Sequence, residues 1–480
     1  MYDANERDAT HDDATHHAAT VQGADHATEP ILNRLAERMR GPLLRPGDAA
    51  FDEARRLWNG VLQPRPHAIA RCRGAADVTE ALRAARQAEL PVAVRGGGHN
   101  VAGRASVDGG LVIDLGEMRA VEVDPATRTV RAEGGATIGD LDRKTQAAGL
   151  AVPMGVVSAT GIAGLTLGGG MGWLRRAHGL SCDALIGATV VTADGRSVRA
   201  SDDENPDLLW ALRGGGGGLG VVTSFEYRAV RLGPEVAFNV TFYPRRDARR
   251  VFHAHEAFLR EDPGSVSTLF ALGRMPEEGF PEELHGQPFA AVLAMHAGEA
   301  HEGLEAMRPL REVTEPLLDL SDVVPYVEAQ RFFDDDYPDG LRYYWKSVSL
   351  PVLDDRALDV LLEFAERAPS DLSTLDVWRH GGAMSAPAEG ATAYGRRDLL
   401  YLVNGEANWD DPEQDDVNIA WVRDCLEALR PYAADHLYLN FPGFHEEGEA
   451  LERAALGENR ARLEDVRRRF DPRGLFRPRF

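Results

Sequence analysis

The chain has 480 residues, which is too long for one hydrophobic core, so the length predicts two or three domains. Its 76 acidic and 53 basic residues give a net charge of −23, which disfavours nucleic acid and anionic membranes as partners. No stretch approaches ~20 consecutive apolar residues, so no membrane span is expected. Three isolated cysteines and the lack of an apolar leader favour a cytoplasmic setting and no metal site.

The first 28 residues are rich in Asp, Ala, Thr and His and contain almost no aliphatic side chains. Such a composition cannot bury enough apolar surface to fold, so we expect an acidic, His-rich disordered tail at 1–28. Regular patterns begin near Pro64. A strand is predicted at 67–71, followed by a helix with Asp77 as its N-cap in an Asp-type capping box.

The stretch VAVRGGGHNVAG at 92–103 places three consecutive glycines after a predicted strand. Without Cβ atoms, the backbone N–H groups of such a turn can approach a bound anion and form a nest around it. Arg95 adds a positive charge. The pattern predicts a pyrophosphate cradle at 95–100, from which His99 reaches the group that carries the phosphates. A tight surface turn is the alternative.

Two common nucleotide-binding motifs do not fit this turn. A Rossmann motif needs a third glycine where Val101 stands and a helix directly after it, and a P-loop needs Gly-Lys-Ser/Thr, which the chain lacks. A nicotinamide-dependent Rossmann enzyme is therefore only a residual alternative.

Two further glycine-rich stretches follow. VPMGVVSATGIAGLTLGGGMGW at 152–173 interleaves glycines with aliphatic residues that are not typical of linkers, so a compact loop closing on a ligand is favoured over a flexible linker. The glycines at 214–218 lie between a predicted helix, DLLWALR, and a predicted strand at 221–230, and indicate a third loop of close approach.

Together, RGGGHN, GxAGxxxGGGxG and DLLWALRGGGGGLGVVT resemble the FAD-binding domain of the vanillyl-alcohol oxidase superfamily, in its berberine-bridge-enzyme-like branch. The later stretches YWKS at 344–347, YLNF at 438–441 and GENRARL…FDPRGLF at 457–476 are similar to landmarks of that branch. The resemblance therefore covers about residues 62–480.

The resemblance implies an α+β fold with a PCMH-type FAD-binding domain of two subdomains, at 62–234. It also implies an antiparallel-sheet substrate domain covered by helices, at 235–430. A C-terminal segment at 431–480 is expected to return to the FAD-binding domain.

FAD is the cofactor that the resemblance implies, joined through its 8α-methyl group to His99. The cysteine that makes a second link in many members of the family falls on Val157 here, so a single histidyl link is expected. The expected FAD-contacting residues are Arg95, Gly96, Gly97, Gly98, His99, Asn100, Ala102, Gly135, Thr160, Gly161, Ala163, Gly164, Gly168, Gly169, Gly172, Gly220, Val222 and Asn440.

The implied activity is oxidation of a C–OH or C–N centre of a small molecule by hydride transfer to flavin N5, with O2 as acceptor. A dehydrogenase that uses another acceptor and a flavin-binding protein without a redox substrate are the alternatives. Hydride transfer needs a base for the heteroatom proton, and Tyr438, Tyr344 and His380 are the candidates, with Tyr438 first. A monomer or homodimer is expected.

Overall fold

The computed structural model describes residues 28–262, 264–277, 279–444 and 449–477, so the predicted tail lies almost wholly outside the described residues. The described chain is a mixture of helices and three main β-sheets. It begins with a helix over 28–38, whose Leu32 and Leu35 are fully buried, and a short helix at Phe51–Ala54.

The first sheet has four strands, of which three are parallel. In spatial order they are Leu43–Leu44, Ala68–Arg71, Leu111–Asp114 and Val92–Arg95. The helix Ala75–Gln87 buries its apolar stripe against this sheet, as its helical spacing predicts. Val92–Arg95 ends directly before the glycine turn, so the sheet fixes where that turn begins.

The helix Ala75–Gln87 begins earlier than predicted. Its N-cap is Gly74, and Asp77 lies inside the first turn, almost fully buried. The Asp77 carboxylate accepts hydrogen bonds from the backbone N–H groups of Arg40, Gly41 and Arg73 at 2.9–3.2 Å. The capping-box prediction was therefore wrong, because this carboxylate ties the incoming chain to the helix instead of capping it.

The second sheet has five antiparallel strands. Their order is Val121–Asp124, Thr129–Glu133, Val221–Arg228, Leu185–Val191 and Ser197–Ser201. A small ladder joins Leu150–Ala151 to Val230–Arg231. The helices of this part of the chain are Ile138–Gln146, Ile162–Leu167, Arg175–His178, Ser181–Ala184 and Pro206–Leu212.

The third sheet is antiparallel and has eight strands. Its main path is Leu318–Asp319, Glu235–Pro244, Pro288–His296, Val266–Arg274, Thr374–Arg379, Tyr401–Trp409 and Arg342–Leu350, with Asp322–Pro325 also paired to Glu235–Pro244. The helices around it are Ala248–Glu261, Ala300–Ala306, Tyr326–Ala329, Asp355–Glu366 and Asp415–Leu429.

The two faces of the third sheet bury different partners. One face packs Phe270, Val377 and Val403 against the helices at Ala248–Glu261, Asp355–Glu366 and Asp415–Leu429. The other face packs Leu269, Trp378 and Leu402 against Met171 and Trp173 of the second glycine-rich stretch and against Leu180, which follows it. Because side chains alternate along a strand, this division decides which residues face the glycine loops.

The end of the described chain returns to the first two sheets. The helix Arg460–Phe470 buries Leu463 beside the helix Pro206–Leu212. Val92 then donates its N–H to the Leu475 carbonyl at 2.9 Å and accepts from Arg477 at 2.7 Å. Among the described residues, no helix is long and apolar enough to cross a membrane.

Candidate active site

Two glycine loops meet back to back. A Cβ on Gly97 or on Gly161 would overlap the backbone of the other residue, so the two loops could not approach this closely with any side chain. Gly98 has φ +73°, and the Cβ position of Gly164 has no described protein atom within 4 Å. The backbone of residues 96–98 and 161–164 therefore forms a concave surface, here called the cradle, which side chains at these glycine positions would obstruct.

The cradle opens into a cavity of about 280 Å³. Aromatic and apolar side chains of the third sheet and its loops form one wall, namely Leu269, Phe333, Tyr337, Trp345, Trp378 and Phe441. Asp376 and Glu406 lie among them, while Arg104 and Arg477 are the arginines among the described lining residues. The cavity thus joins an anion-binding loop to a largely aromatic chamber with two carboxyl groups.

His99 lines the cavity and lies against Trp58. The two rings are stacked, with centroids 4.4 Å apart and planes 20° apart. Tyr343 stacks on the same indole at 3.8 Å and 9°, so Trp58 is sandwiched between the two rings. Burial lowers the pKa of His99 to about 4, although the charge of Asp334 opposes the shift. The imidazole is therefore neutral at pH 7 and keeps a nitrogen lone pair.

Asp376 and Glu406 come from neighbouring strands and interact side chain to side chain. Tyr337 Oη donates to Glu406 Oε2 and Asn404 Nδ2 donates to Glu406 Oε1, both at 2.7 Å. Burial raises the pKa of Glu406 to about 7 despite these donors, and burial with the charge of Glu406 raises the pKa of Asp376 far more. The two acids therefore titrate as a pair, in which the donors to Glu406 favour the carboxylate there and Asp376 favours the protonated form.

Most of the predicted FAD-contacting residues line this cavity. They are Gly96, Gly97, Gly98, His99, Asn100, Thr160, Gly161, Ala163, Gly164, Gly168, Gly220, Val222 and Asn440. They come from all three glycine-rich stretches and from the YLNF stretch, which are far apart in sequence. The fold brings these separate motifs around one space.

Five other predicted FAD-contacting residues do not line it. The Arg95 guanidinium donates to the Ala54 carbonyl and lies 4.0 Å from Asp114 Oδ2, so its positive charge is balanced by a carboxylate of the protein and not by a group in the cavity. Ala102 donates its N–H to Asn100 Oδ1 in the turn itself. Gly135, Gly169 and Gly172 instead make room for protein: an added Cβ would overlap the Leu115 carbonyl, the Tyr394 ring and the Met154 carbonyl.

The three predicted catalytic residues lie elsewhere among the described residues. Tyr344 projects into the helix-covered core and accepts from Arg423 Nε at 3.0 Å. His380 is buried with Nδ1 3.2 Å from the Leu399 carbonyl oxygen, and burial lowers its pKa to about 3. Neither side chain lines the cavity.

Tyr438 is fully buried beside the second glycine-rich stretch. Its hydroxyl accepts from the N–H groups of Gly170 and Met171 at 3.1 Å and from Asn440 Nδ2 at 3.0 Å. Burial raises its pKa to about 12. Phe441, three residues later, lines the cavity in its place. Tyr438 therefore fastens the YLNF stretch to the glycine loop.

Sequence reasoning missed Trp58, Tyr337, Asp376 and Glu406. One signal was available for Glu406: it is a carboxylate inside YLVNGEANW, a strand whose nine residues are all buried. A charged residue in such a strand is buried only with partners, which marks it as a candidate functional group.

Known proteins are similar to this chain in sequence and in fold. A model of the FAD binding domain family matches residues 66–201. The FAD-linked oxidoreductase pgmH of Aspergillus terreus is 32% identical over 480 aligned residues, which cover 92% of this chain and 94% of the relative. The chain belongs to the FAD-linked oxidoreductases. Its predicted membership of that family is therefore confirmed.

Two comparisons concern nicotine oxidases. The (R)-6-hydroxynicotine oxidase of Paenarthrobacter nicotinovorans is 42% identical over 194 residues, or 40% of this chain and 42% of the relative. The crystal structure of 6-hydroxy-D-nicotine oxidase from Arthrobacter nicotinovorans superposes with a TM-score of 0.80 and 27% identity, over 92% of this chain and 97% of that one. This FAD-linked oxidoreductase thus has the α+β, PCMH-type fold that the motifs predicted.

The cavity of this FAD-linked oxidoreductase fits the cofactor. Residues 96–98 and 161–164 offer backbone where a pyrophosphate needs close donors, and Arg104 and Arg477 add positive charge to the lining. The aromatic chamber suits a flat ring system, and the neutral His99 imidazole lies at its wall. The pyrophosphate and the flavin ring of FAD therefore each have a matching set of residues.

Proposed function

We propose that this enzyme is an FAD-dependent oxidase that removes a hydride from a C–OH or C–N carbon of a small molecule, with O2 as the electron acceptor. One observation carries the proposal: a single cavity is lined by the glycine cradle, by His99 and by the Asp376–Glu406 pair. A flavin-binding protein without a redox substrate has no need of a buried acid pair in that cavity. The pair therefore favours catalysis over simple flavin binding.

FAD supplies the hydride-accepting chemistry when it is bound. The protein supplies position and electrostatics. Backbone N–H groups of the cradle neutralise the pyrophosphate, and the apolar wall, including Leu269, Trp378 and Phe441, excludes water from the chamber. A substrate bound in this chamber would lie within reach of the carboxyl pair, because Asp376 and Glu406 line the same cavity as the glycine cradle.

Glu406 is our candidate for the general base, in place of the three residues inferred from the motifs. Its carboxylate faces the cavity and is held by Tyr337 and Asn404, while Asp376 retains a proton beside it. As hydride leaves the substrate carbon, the Glu406 carboxylate takes the proton of the substrate O–H or N–H group. A pKa of about 7 suits this transfer near neutral pH.

We also propose that His99 carries the flavin through a covalent bond. Burial keeps its imidazole neutral, which the bond-forming nitrogen requires. Such a bond from the His99 nitrogen to the 8α carbon would replace one C–H bond and the imidazole N–H bond, and the two hydrogens with their electrons would pass to O2 as hydrogen peroxide. Val157 also lines the cavity and has no thiol, so the link is single.

The proposal is tested first by absorbance of the purified protein before and after acid precipitation. Flavin absorbance that stays with the pellet, and is released in His99→Ala, supports the covalent link. Flavin released from the wild type overturns the link and leaves the oxidase intact.

Oxidase activity needs a second measurement. Cyclic amines and secondary alcohols are added under argon, and loss of the flavin absorbance identifies a substrate. Reoxidation by O2 with one peroxide per turnover supports an oxidase, whereas reoxidation only by an added quinone or dye supports a dehydrogenase. Dithionite serves as the control, because it should reduce the bound flavin directly. If dithionite bleaches the flavin and no compound of the panel does, the result counts against oxidation of these substrate classes.

A further inference from the structure

The segment 57–60 precedes the part of the chain that the FAD binding domain family model matches, yet it lies against His99. Trp58 is 3% exposed and Asn59 is fully buried. We call residues 57–60 the strap. The strap lies between the FAD-binding part and the third sheet, so its contacts with both show which groups it can hold in place.

Asn59 joins the histidine loop to the third sheet. Its Nδ2 donates to the Val101 carbonyl at 2.7 Å and to the Tyr343 carbonyl at 2.9 Å, and its Oδ1 accepts from the Tyr343 N–H at 3.1 Å. Val101 is two residues after His99. One buried amide therefore fixes the backbone of the histidine loop against the strand Arg342–Leu350.

Trp58 fixes the ring. Its indole lies between the His99 imidazole and the Tyr343 phenol, and its Nε1 donates to the Tyr337 carbonyl at 2.9 Å. Gly340 donates its N–H to the Trp58 carbonyl at 2.8 Å. The indole is thus held on both faces and at its edge, so it is a rigid surface for the imidazole.

Hydrogen bonds within the described protein do not orient the His99 imidazole. Among the described residues, neither ring nitrogen of His99 has a hydrogen-bond or ion-pair partner in the protein. A histidine that acts through a nitrogen is ordinarily oriented by a hydrogen bond to its other nitrogen. Here stacking on Trp58 takes that place: the indole covers one face of the imidazole, and His99 itself lines the cavity.

We propose that Trp58 is the positioning residue for flavin attachment, because it orients the His99 imidazole for bond formation with the 8α carbon. This inference rests on the proposed covalent link at His99. It goes beyond that link by assigning a role to a residue outside the glycine motifs. Trp58 is not among the described residues that line the cavity, so it acts through His99.

The test follows the rate of covalent attachment in the full-length chain. Protein from riboflavin-starved cells is mixed with FAD, non-covalent binding is measured by flavin fluorescence, and acid-stable flavin is followed with time. In Trp58→Leu we expect attachment to slow by about 10- to 100-fold, because a small misorientation of a reacting group has effects of that size. Trp58→Phe keeps a ring against the imidazole and restores most of the rate.

Trp421 provides the matched control. It is a buried tryptophan whose Nε1 also donates to a backbone carbonyl at 2.9 Å, that of Phe364, and it lies in the helix-covered core away from the cavity. Trp421→Leu removes similar packing, so it reports the effect of lost stability on attachment. We expect it to attach flavin at the wild-type rate.

The outcomes separate the two proposals. Wild-type protein without acid-stable flavin overturns the histidyl link and this inference together. Wild-type attachment that is unchanged in Trp58→Leu overturns this inference alone. Equal slowing in Trp58→Leu and Trp421→Leu, or a parallel loss of non-covalent FAD binding in Trp58→Leu, assigns Trp58 to folding and also overturns it.

Discussion

The carboxyl groups of Asp376 and Glu406 interact across two neighbouring strands, inside the cavity that the glycine loops border. Burial and the like charge of the neighbouring acid disfavour ionisation of both groups, so the pKa of each is raised. The hydrogen bonds from Tyr337 and Asn404 converge on Glu406 and favour the charged form there. The pair therefore offers the Glu406 carboxylate as the acceptor of one proton, and Tyr337 and Asn404 hold that carboxylate in place.

Glu406→Gln is expected to lower the rate of flavin reduction by substrate by about 10²- to 10⁴-fold, because the heteroatom proton loses its acceptor. FAD content should remain at the wild-type level, since Glu406 is not part of the cradle. Anaerobic stopped-flow absorbance measures the rate. Glu256→Gln is the control, since Glu256 is a buried carboxylate that accepts from Tyr401 and does not line the cavity. Equal rates in Glu406→Gln and wild type would remove Glu406 as the base.

The rate of flavin reduction should rise with pH through about 7, since Glu406 accepts a proton only when it is ionised. Tyr337→Phe removes a hydrogen bond that lowers the pKa of Glu406, so the midpoint should move to higher pH. Tyr343→Phe removes a neighbouring hydroxyl that donates to the Pro338 carbonyl, and its midpoint should stay in place. A midpoint that moves equally in both variants would assign the profile to another group.

How far the sequence predicts this site depends on the range of the interactions involved. The glycine cradle is local, because turns without Cβ atoms can be recognised in a few consecutive residues such as 96–98. The acid pair depends on a register in which Asp376 lies opposite Asn404, 28 positions along the chain, and only the folded sheet supplies it. No short motif contains both acids.

Tyr344 shows how alternation along a strand limits motif transfer. The YWKS stretch lies in the strand Arg342–Leu350, and neighbouring side chains of a strand point to opposite faces. Trp345 therefore lines the cavity while Tyr344 enters the helix-covered core. In YLNF, which lies in a turn and not in a strand, Tyr438 anchors the glycine loop while Leu439, Asn440 and Phe441 line the cavity. A motif locates the segment, and the packing of the sheet decides which of its side chains face the cofactor.

Protein stability should also depend on the acid pair. Below the ordinary carboxyl value of 4.5, Glu406 is protonated in both the folded and the unfolded chain. As pH rises to about 7, the unfolded chain releases the proton while the folded chain keeps it, so the free energy of unfolding falls by about 3 kcal/mol. Urea unfolding of wild type and Glu406→Gln at pH 5 and pH 8 measures this. The free energy of unfolding of Glu406→Gln, relative to that of the wild type, should be higher at pH 8 than at pH 5. An equal difference at both pH values would contradict the interpretation that Glu406 is a buried acid with a raised pKa.

Gly164→Ala tests whether the cofactor occupies the cradle. The Cβ position of Gly164 meets no described protein atom within 4 Å and the residue lines the cavity, so the added methyl group displaces ligand and not protein. We expect FAD affinity to fall about tenfold or more, because the methyl group overpacks a close contact with the ligand. The stability of the apoprotein should be kept or raised, because alanine favours the helix Ile162–Leu167. Gly74→Ala is the control, since its Cβ position is equally open but lies away from the cavity. Isothermal titration of FAD into apoprotein decides the matter: unchanged affinity in Gly164→Ala would place the pyrophosphate outside this cradle.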